Sequence, residues 1–444
     1  MTNVTPGPGA EPEWAAFVAI DWGDQKNFWK LAVAGSEQRE EGEMGSEPEE
    51  VDAWATGLAV RFGDRPIAVI LEQSRGALIY KLAKYAHLVL FPVHSATAAR
   101  YRKAFHPSGS KSDPGDADSL LDLLLRHREE LRELRPDNVP TRLLRILVEQ
   151  RREMVDDSTR YSNRLTSCLK MYFPQVLKWF DRVSSPMVCA FVQRWPTLQQ
   201  LRGAHPGTLR KFFLEHNCRS EELIRTRIAE VRTAVAATND EAVIEGESLT
   251  ALGLIGQIEA LRLHIGALDR RIREVVQEHP DGSLFSSFPG AGEALAPRLI
   301  AAFGSDRARY SSADEVQHYS GIAPVTETSG RKKWVHFRRA CPKFLRQTFQ
   351  EFAQHSMHKS EWAKAFYRSE REKGQKHHCA VRKLAYKWIR ILFRCWKNGT
   401  PYDEAVYQRS LEKRRPAMKA ALPPATTGEW KNVAGFQKFS VNPS

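Results

Sequence analysis

The chain has 444 residues and a formal net charge of +13, set by 66 Lys and Arg against 53 Asp and Glu. That length supports two to four domains with full cores, and that charge points to an anionic partner, nucleic acid foremost, while leaving the fold open. Six cysteines without a CxxC pair argue against disulfides or zinc; with no run of about 18 apolar residues and no signal-peptide pattern at the start, an intracellular, cytoplasmic protein without membrane contact is expected.

Residues 1–14 are rich in Pro and Gly and are expected to be disordered. An alternating α/β pattern follows over 15–135. Phe17 to Ile20 reads as a buried strand ending on Asp21, Trp29 to Val33 as a second strand, and Arg39 to Met44 as a weaker third. Glu49 to Phe62 reads as a helix, Ile67 to Leu71 as a strand ending on Glu72, Ala77 to Ala86 as a helix, and Leu88 to Val93 as a strand. In open α/β sheets functional groups gather at the carboxyl ends of strands, which singles out Asp21 and Glu72, although a strand-end acid is often an ordinary loop residue.

The stretch Lys111 to Leu120, KSDPGDADSL, places Asp113 and Asp116 three residues apart where a Pro/Gly-broken loop enters a leucine-rich helix, Ser119 to Leu125. Positions i and i+3 share a helix face. Two carboxylates held there repel unless a cation lies between them, which suggests a divalent-metal site. The competing reading makes Asp113 an N-cap, Pro114 the first helical residue and Asp116 an acid favoured by the helix dipole. Taken together, Asp21, Glu72, Asp113 and Asp116 follow the order strand-Asp, strand-Glu, helix-Asp-x-x-Asp, which would converge on one edge of a ribonuclease-H-like sheet.

Residues 136–280 read as helical. Leu144, Leu147, Met154, Tyr161, Leu165, Cys168 and Tyr172 form a heptad seam interrupted by Arg151 and Ser158. Leu254, Ile258, Leu261, Ile265, Leu268, Ile272 and Val275 form a cleaner one, with coiled-coil spacing. The two could pack on each other within one chain; self-association through the second is the expectation. Phe173 to Asn217 reads as an inserted small helical unit.

In residues 281–408 a mainly helical domain is expected. Pro289, Gly290 and Gly292 make a tight turn ahead of an amphipathic helix, and such a helix-hairpin-helix-like turn offers backbone amides to a phosphate. From Ser329 to Arg346 there are seven Lys and Arg and no acid, interleaved with Trp334, Phe337 and Phe344. Arg331, Lys332, Lys333, Arg338 and Arg339 are therefore candidate nucleic-acid contacts. Between Gln375 and Lys397, an apolar stripe of Val381, Leu384, Trp388, Ile391 and Cys395 runs beside a basic stripe of Lys383, Lys387, Arg390, Arg394 and Lys397. That periodicity reads as a phosphate-facing helix, or else as a solvated basic one. His377, His378 and Cys379 are adjacent rather than at ligand spacing, and residues 409–444 read as a basic flexible tail.

The order AIDWG (Ala19 to Gly23), VILEQSRG (Val69 to Gly76), SDPGDAD (Ser112 to Asp118), FPGAG (Phe288 to Gly292) and YSGIAPVTETSGRKK (Tyr319 to Lys333) resembles the DEDD transposases of bacterial insertion sequences. These pair a RuvC-like N-terminal domain with a C-terminal serine-bearing transposase domain and use a bridge RNA. The resemblance implies that Asp21, Glu72, Asp113 and Asp116 form an acidic tetrad holding Mg²⁺ or Mn²⁺, with Ser329 as nucleophile. It also implies DNA partners (element ends and target), a guide RNA, a dimer or tetramer, and action at the nucleoid. Cys341-Pro342 departs from the family's Gly-centred turn. Ser329 lacks a neighbouring base, so metal or the tetrad would have to activate it, which requires the two domains to meet within one chain or between subunits. Two rival readings stand beside this one: a metal-dependent, structure-selective nuclease that uses water, and a non-catalytic nucleic-acid-binding protein whose acids are caps and loop residues.

Overall fold

The computed structural model describes residues 14–72, 76–105, 113–330 and 332–409, so 1–13 of the expected disordered start and 410–444 of the expected tail lie outside the described residues, while Trp14, expected to be disordered, packs against Phe91. The chain divides into two compact units, Met1–Pro136 and Asp137–Ser444.

The first unit runs β1 (Ala16–Asp21), β2 (Lys26–Val33), β3 (Arg39–Gly45), α1 (Pro48–Phe62), β4 (Ile67–Leu71), α2 (Ala77–Leu82), β5 (Leu88–Pro92), α3 (Ser95–Phe105) and α4 (Asp113–His127). The sheet order is β3-β2-β1-β4-β5. β1, β2 and β3 pair antiparallel, while β1, β4 and β5 pair parallel. This mixed α/β arrangement is consistent with a ribonuclease-H-like domain. Alternation of side chains along the strands sorts the apolar residues into two cores. Val18, Ile20, Ile67 and Val69 pack with Val51, Ala55 and Leu58 of α1 and with Leu78 and Leu82 of α2. Ala19, Ala68 and Ile70 face Ala98 of α3 and Leu120, Leu121 and Leu124 of α4.

The observed strands agree with the sequence reading to within a few residues at each end. Two helices differ from it: α2 stops at Leu82, short of Ala86, and α4 starts at Asp113 rather than Ser119. Pro114 and Gly115 fall in the first turn of α4, where a missing amide breaks no helical hydrogen bond. The helix α3 had not been anticipated.

In the second unit α5 (Val139–Tyr172) is followed by five short helices, α6 (Gln175–Trp179), α7 (Pro186–Arg194), α8 (Leu198–Arg202), α9 (Pro206–Glu215) and α10 (Glu221–Thr233), and then by α11 (Glu241–Glu278). The side chain of Asn138 caps α5 by accepting from the Thr141 amide at 3.0 Å, and Asp240 caps α11 by accepting from the amides of Ala242 and Val243. α5 and α11 lie antiparallel. Leu144 and Val148 share a core with Ile272 and Val275, while Leu165, Cys168, Leu169 and Tyr172 share another with Ala251, Leu254, Ile255 and Ile258. The clean seam of α11 thus meets the first seam of the same chain. Arg151, the break in that first seam, pairs with Asp269 across the two helices. Leu261, Ile265 and Leu268, midway along α11, are only half-buried. Among the described residues α11 alone is long and apolar enough to cross a membrane by composition, and its apolar ends pack in these protein cores instead. α6 to α10 cap the far end of the helix pair around an aromatic cluster in which Trp195 lies 5.3 Å from Phe191 and 5.2 Å from Phe212, centroid to centroid. This inserted unit extends to Thr233, beyond the expected Asn217.

The remainder comprises α12 (Gly282–Ser286), α13 (Gly292–Phe303), α14 (Ala313–Tyr319), the hairpin β6 (Val325–Ser329) and β7 (Lys332–His336), α15 (Lys343–Ser356), α16 (Glu361–Glu372) and α17 (His377–Asn398). Its core is built on the fully buried Trp388 and Trp396 of α17, whose indole nitrogens donate to Ser356 Oγ at 2.8 Å and to the Gly304 carbonyl at 2.9 Å.

Asp137 ties α5 to this core. Its carboxylate, 3% exposed, accepts from Arg145, from Arg309 at 3.0 Å and from the Ser305 amide at 2.8 Å. Gly304 sits at φ 80°, where a Cβ would fall 2.5 Å from the same carboxylate. Burial pushes the Asp137 carboxyl up, but Arg309 and Arg145 outweigh it and hold the group below its ordinary value. Its stabilising effect is therefore complete above the ordinary carboxylate range and is lost as pH falls through the lowered folded value. Asp137→Ala should cost about 3 kcal/mol in urea unfolding near neutral pH, because it leaves two half-buried cations without their buried counter-charge. The gap from wild type should narrow on acidification.

Candidate catalytic and nucleic-acid-binding sites

Strand geometry accounts for two of the four acids. Residues 17, 19 and 21 of β1 point to the α4 side of the sheet, and the parallel register sets Ile20 beside Leu71. Glu72, the next residue along, therefore lies beside Asp21 on a neighbouring strand about 4.8 Å away. Both are half-buried. On α4, Asp116 lies one turn before Leu120 on the sheet-facing stripe and is only 6% exposed. A carboxylate so placed needs a counter-charge.

Arg102 of α3 supplies it by donating to Asp116. Its guanidinium is held above its ordinary pKa first by Asp116, with further contributions from Glu72 and Asp21. Glu72, Arg102 and Asp116 line one cleft with Ala98, Ser119 and Leu120; its cavity volume of about 10 Å³ is the room of a single water or bare ion. Asp113 is exposed in the first turn of α4 and does not line the cleft. Among the described residues no three His, Cys, Asp or Glu groups are drawn to ligating distance of one point. The structure thus brings Glu72 and Asp116 together, keeps Asp21 within their electrostatic reach, and leaves Asp113 outside. Sequence reasoning missed Arg102. The available signal was Ala98 and Arg102 at i and i+4, one buried and one cationic, just ahead of the acidic stretch.

Ser329 ends β6, exposed at the tip of the hairpin and directly opposite Lys332. Gly330 sits at φ 55°, the left-handed backbone that a two-residue hairpin turn requires. Arg331 lies outside the described residues. Lys332, Lys333 and Arg339 are exposed, whereas Arg338 is half-buried and donates to the Ala323 carbonyl at 3.4 Å. The guanidinium groups of Arg346 and Arg382 each lie 4.8 Å from the Phe337 ring centroid. Cys341 packs onto Gly321, which has φ 72°; a Cβ there would stand 2.3 Å from the Cys341 sulfur. The Cys341-Pro342 departure is therefore matched by a glycine beneath it.

At Gly290 (φ 83°) a Cβ would come within 2.7–2.8 Å of the His355–Ser356 backbone, so this glycine allows the turn to approach the end of α15. Gly292, the first residue of α13, is exposed with open space around it. The basic stripe of α17 is divided. Lys383 pairs with Glu370 at 2.7 Å, and Lys397 donates to the Arg307 carbonyl at 2.6 Å. Lys387 lies 4.2 Å from the Phe366 centroid, and burial pushes its ammonium below the ordinary value. Arg390 and Arg394 are exposed.

Two family models match the chain. One, described as a transposase and carrying the DEDD and IS110 designations, covers residues 18–174; the other, described as "Transposase IS116/IS110/IS902 family", covers residues 282–368. The acids fall within the first match and Ser329 within the second. The "Mini-circle putative transposase for IS117" of Streptomyces coelicolor is 30% identical over 353 residues, or 76% of this chain and 83% of that protein. The "Insertion element IS900 uncharacterized 42 kDa protein" of Mycobacterium paratuberculosis is 26% identical over 77% of this chain and 85% of its own length. An IS110 protein of 43.6 kDa from Streptomyces coelicolor is also 26% identical, over 78% and 85%. The sheet with its paired strand-end acids, the two family matches and the extent of these similarities agree: the chain belongs to the IS116/IS110/IS902 family of bacterial insertion-sequence transposases and is a DNA transposase/recombinase.

Proposed function

We propose that this transposase cuts and rejoins DNA with Ser329 as nucleophile and with Asp21, Glu72, Asp113 and Asp116 as ligands of Mg²⁺ or Mn²⁺. It acts on element ends and target DNA at the bacterial nucleoid, directed by a bridge RNA, as a dimer or tetramer. The observation that carries the metal reading is the grouping of Asp21, Glu72 and the buried Asp116 about one cation, Arg102. An all-oxygen, anionic donor set suits a hard divalent ion. Ligation through Asp116 requires Arg102 to give up that carboxylate and the first turn of α4 to bring Asp113 closer. When bound, such an ion neutralises the phosphodiester and stabilises the leaving oxygen.

The protein's own groups do the rest. α4 and β4 hold Asp116 and Glu72 in fixed orientation. The Ser329 hydroxyl, exposed at a hairpin tip, is accessible to a strand. Its oxygen forms a bond to phosphorus as the bond from phosphorus to the leaving sugar oxygen breaks; the hydroxyl proton passes to water and the leaving oxygen takes one up. The phosphoserine link keeps the bond energy, so rejoining needs no outside energy source. Exposed Arg390 and Arg394 support binding of nucleic-acid backbone, the family resemblance supports the RNA, and the half-buried middle of α11 supports self-association.

A labelled suicide DNA should trap a covalent adduct with the wild-type protein. None should form with Ser329→Ala or with Asp116→Asn, a substitution that keeps the volume while removing a ligand charge. Hydrolysed ends from Ser329→Ala would establish the water-dependent nuclease instead. Replacing Arg390 and Arg394 with Ala should weaken binding to unrelated DNA sequences alike and reduce the log–log salt slope by about two, with no comparable loss for Lys383→Ala. Ile265→Asp should lower the mass of the nucleic-acid-bound assembly in light scattering; a wild-type monomer in the bound state would rule out self-association.

A further inference from the structure

The ribbon of β6 and β7 is uncovered on both faces: of its ten paired residues only Val325 is half-buried and the other nine are exposed. Trp334 is 45% and Val335 62% exposed. Two-stranded ribbons are marginal by themselves, and nearly half of the Trp334 surface is left open to a partner.

The strand register sorts these side chains. Ser329 faces Lys332, Glu327 faces Trp334, and Val325 faces His336, so these six share one side of the ribbon. Thr328, Lys333, Thr326 and Val335 occupy the other. Glu327, the acid on the serine's side, is engaged by His336 at 3.5 Å, toward the base of the ribbon and away from the tip. Among the described residues no carboxylate pairs with Lys332 or Lys333. Opposed side chains have their Cβ atoms about 4.5–5.5 Å apart, so the Lys332 ammonium reaches an oxygen on any phosphorus that contacts Ser329 Oγ. Trp334 lies one pair further along, about 7 Å away, at the reach of the base carried by an adjoining sugar.

We infer that Lys332 and Trp334 complete, with Ser329, a binding face for a single DNA strand. Lys332 holds a non-bridging oxygen of the scissile phosphate, and Trp334 stacks on the neighbouring base. This rests on the reading of Ser329 as nucleophile and adds the groups that position its target. A cation beside the hydroxyl and an aromatic beside the cation is the combination that single-strand binders use, and stacking tolerates any base. It also accounts for an exposed tryptophan in a segment with seven cations and no acid.

The test uses the full chain, with melting temperature confirming that each variant folds. Two readouts are taken: affinity for a fluorescent single-stranded element-end oligonucleotide, and the rate of adduct formation on suicide DNA at saturation. Trp334→Ala should weaken single-strand binding about tenfold, with Trp334→Phe recovering most of it and losing the DNA-dependent quench of Trp334 fluorescence. Lys332→Ala should slow adduct formation at least about tenfold at saturating DNA, with Lys332→Arg recovering it. Unchanged single-strand affinity in Trp334→Ala, or an unchanged adduct rate in Lys332→Ala, overturns the inference. So does a Trp334→Ala defect confined to RNA or to protein self-association. If Ser329→Ala still forms an adduct, the nucleophile is elsewhere, and that failure is read separately from the binding and adduct rates of the Lys332 and Trp334 variants.

Discussion

A carboxylate shielded as deeply as that of Asp116 requires a positive charge beside it, and the α3–α4 face of the first unit is arranged around that demand. Asp116 is buried because α4 must lay Leu120, Leu121 and Leu124 on the sheet, and the same stripe carries Asp116 one turn earlier. The sheet contributes two more acids at the ends of adjacent parallel strands. Arg102 makes this concentration of negative charge tolerable. Packing and strand register thus hold Asp116 and Glu72 beside Arg102.

In the second unit, polar pairs fix the relation between long helices. Asp137 joins the start of α5 to the segment following α13 through Arg145, Arg309 and Ser305. Further along, Arg151 and Asp269 link α5 to α11 where both helices present half-exposed residues. Apolar burial is concentrated at the two ends of the pair, in separate cores. The middle is consequently the part of the arm with apolar surface still available, and the ion pair there favours one antiparallel alignment over others.

The last helices show how packing sorts a basic surface into structural and available charge. α17 buries Trp388 and Trp396, so some residues flanking that stripe find partners on neighbouring segments. Lys383 meets Glu370 and Lys397 meets a carbonyl while both stay exposed, Lys387 is half-buried over Phe366, and Arg390 and Arg394 face solvent. The hairpin bearing Ser329 is the opposite case. Its residues stand almost wholly outside the core, so which of them share a face depends on register more than on burial.

By itself the sequence determined what has a short-range physical cause. The apolar runs ending in Asp21 and Glu72, the three-residue spacing of Asp113 and Asp116, and the heptads of α5 and α11 are local patterns, and their elements lie where they were read except α4, which begins at Asp113 rather than Ser119. Motif order was also enough to identify the family. Tertiary structure decided every matter of partnership, because a partner distant in sequence leaves no periodic trace. It brought Arg102 to the acids, matched the α11 seam with α5, set Gly290 against the end of α15, and gave Lys383, Lys387 and Lys397 of the basic stripe partners within the fold. It also chose Lys332, rather than Lys333, as the cation on Ser329's side, since strand register alone determines which face each side chain takes.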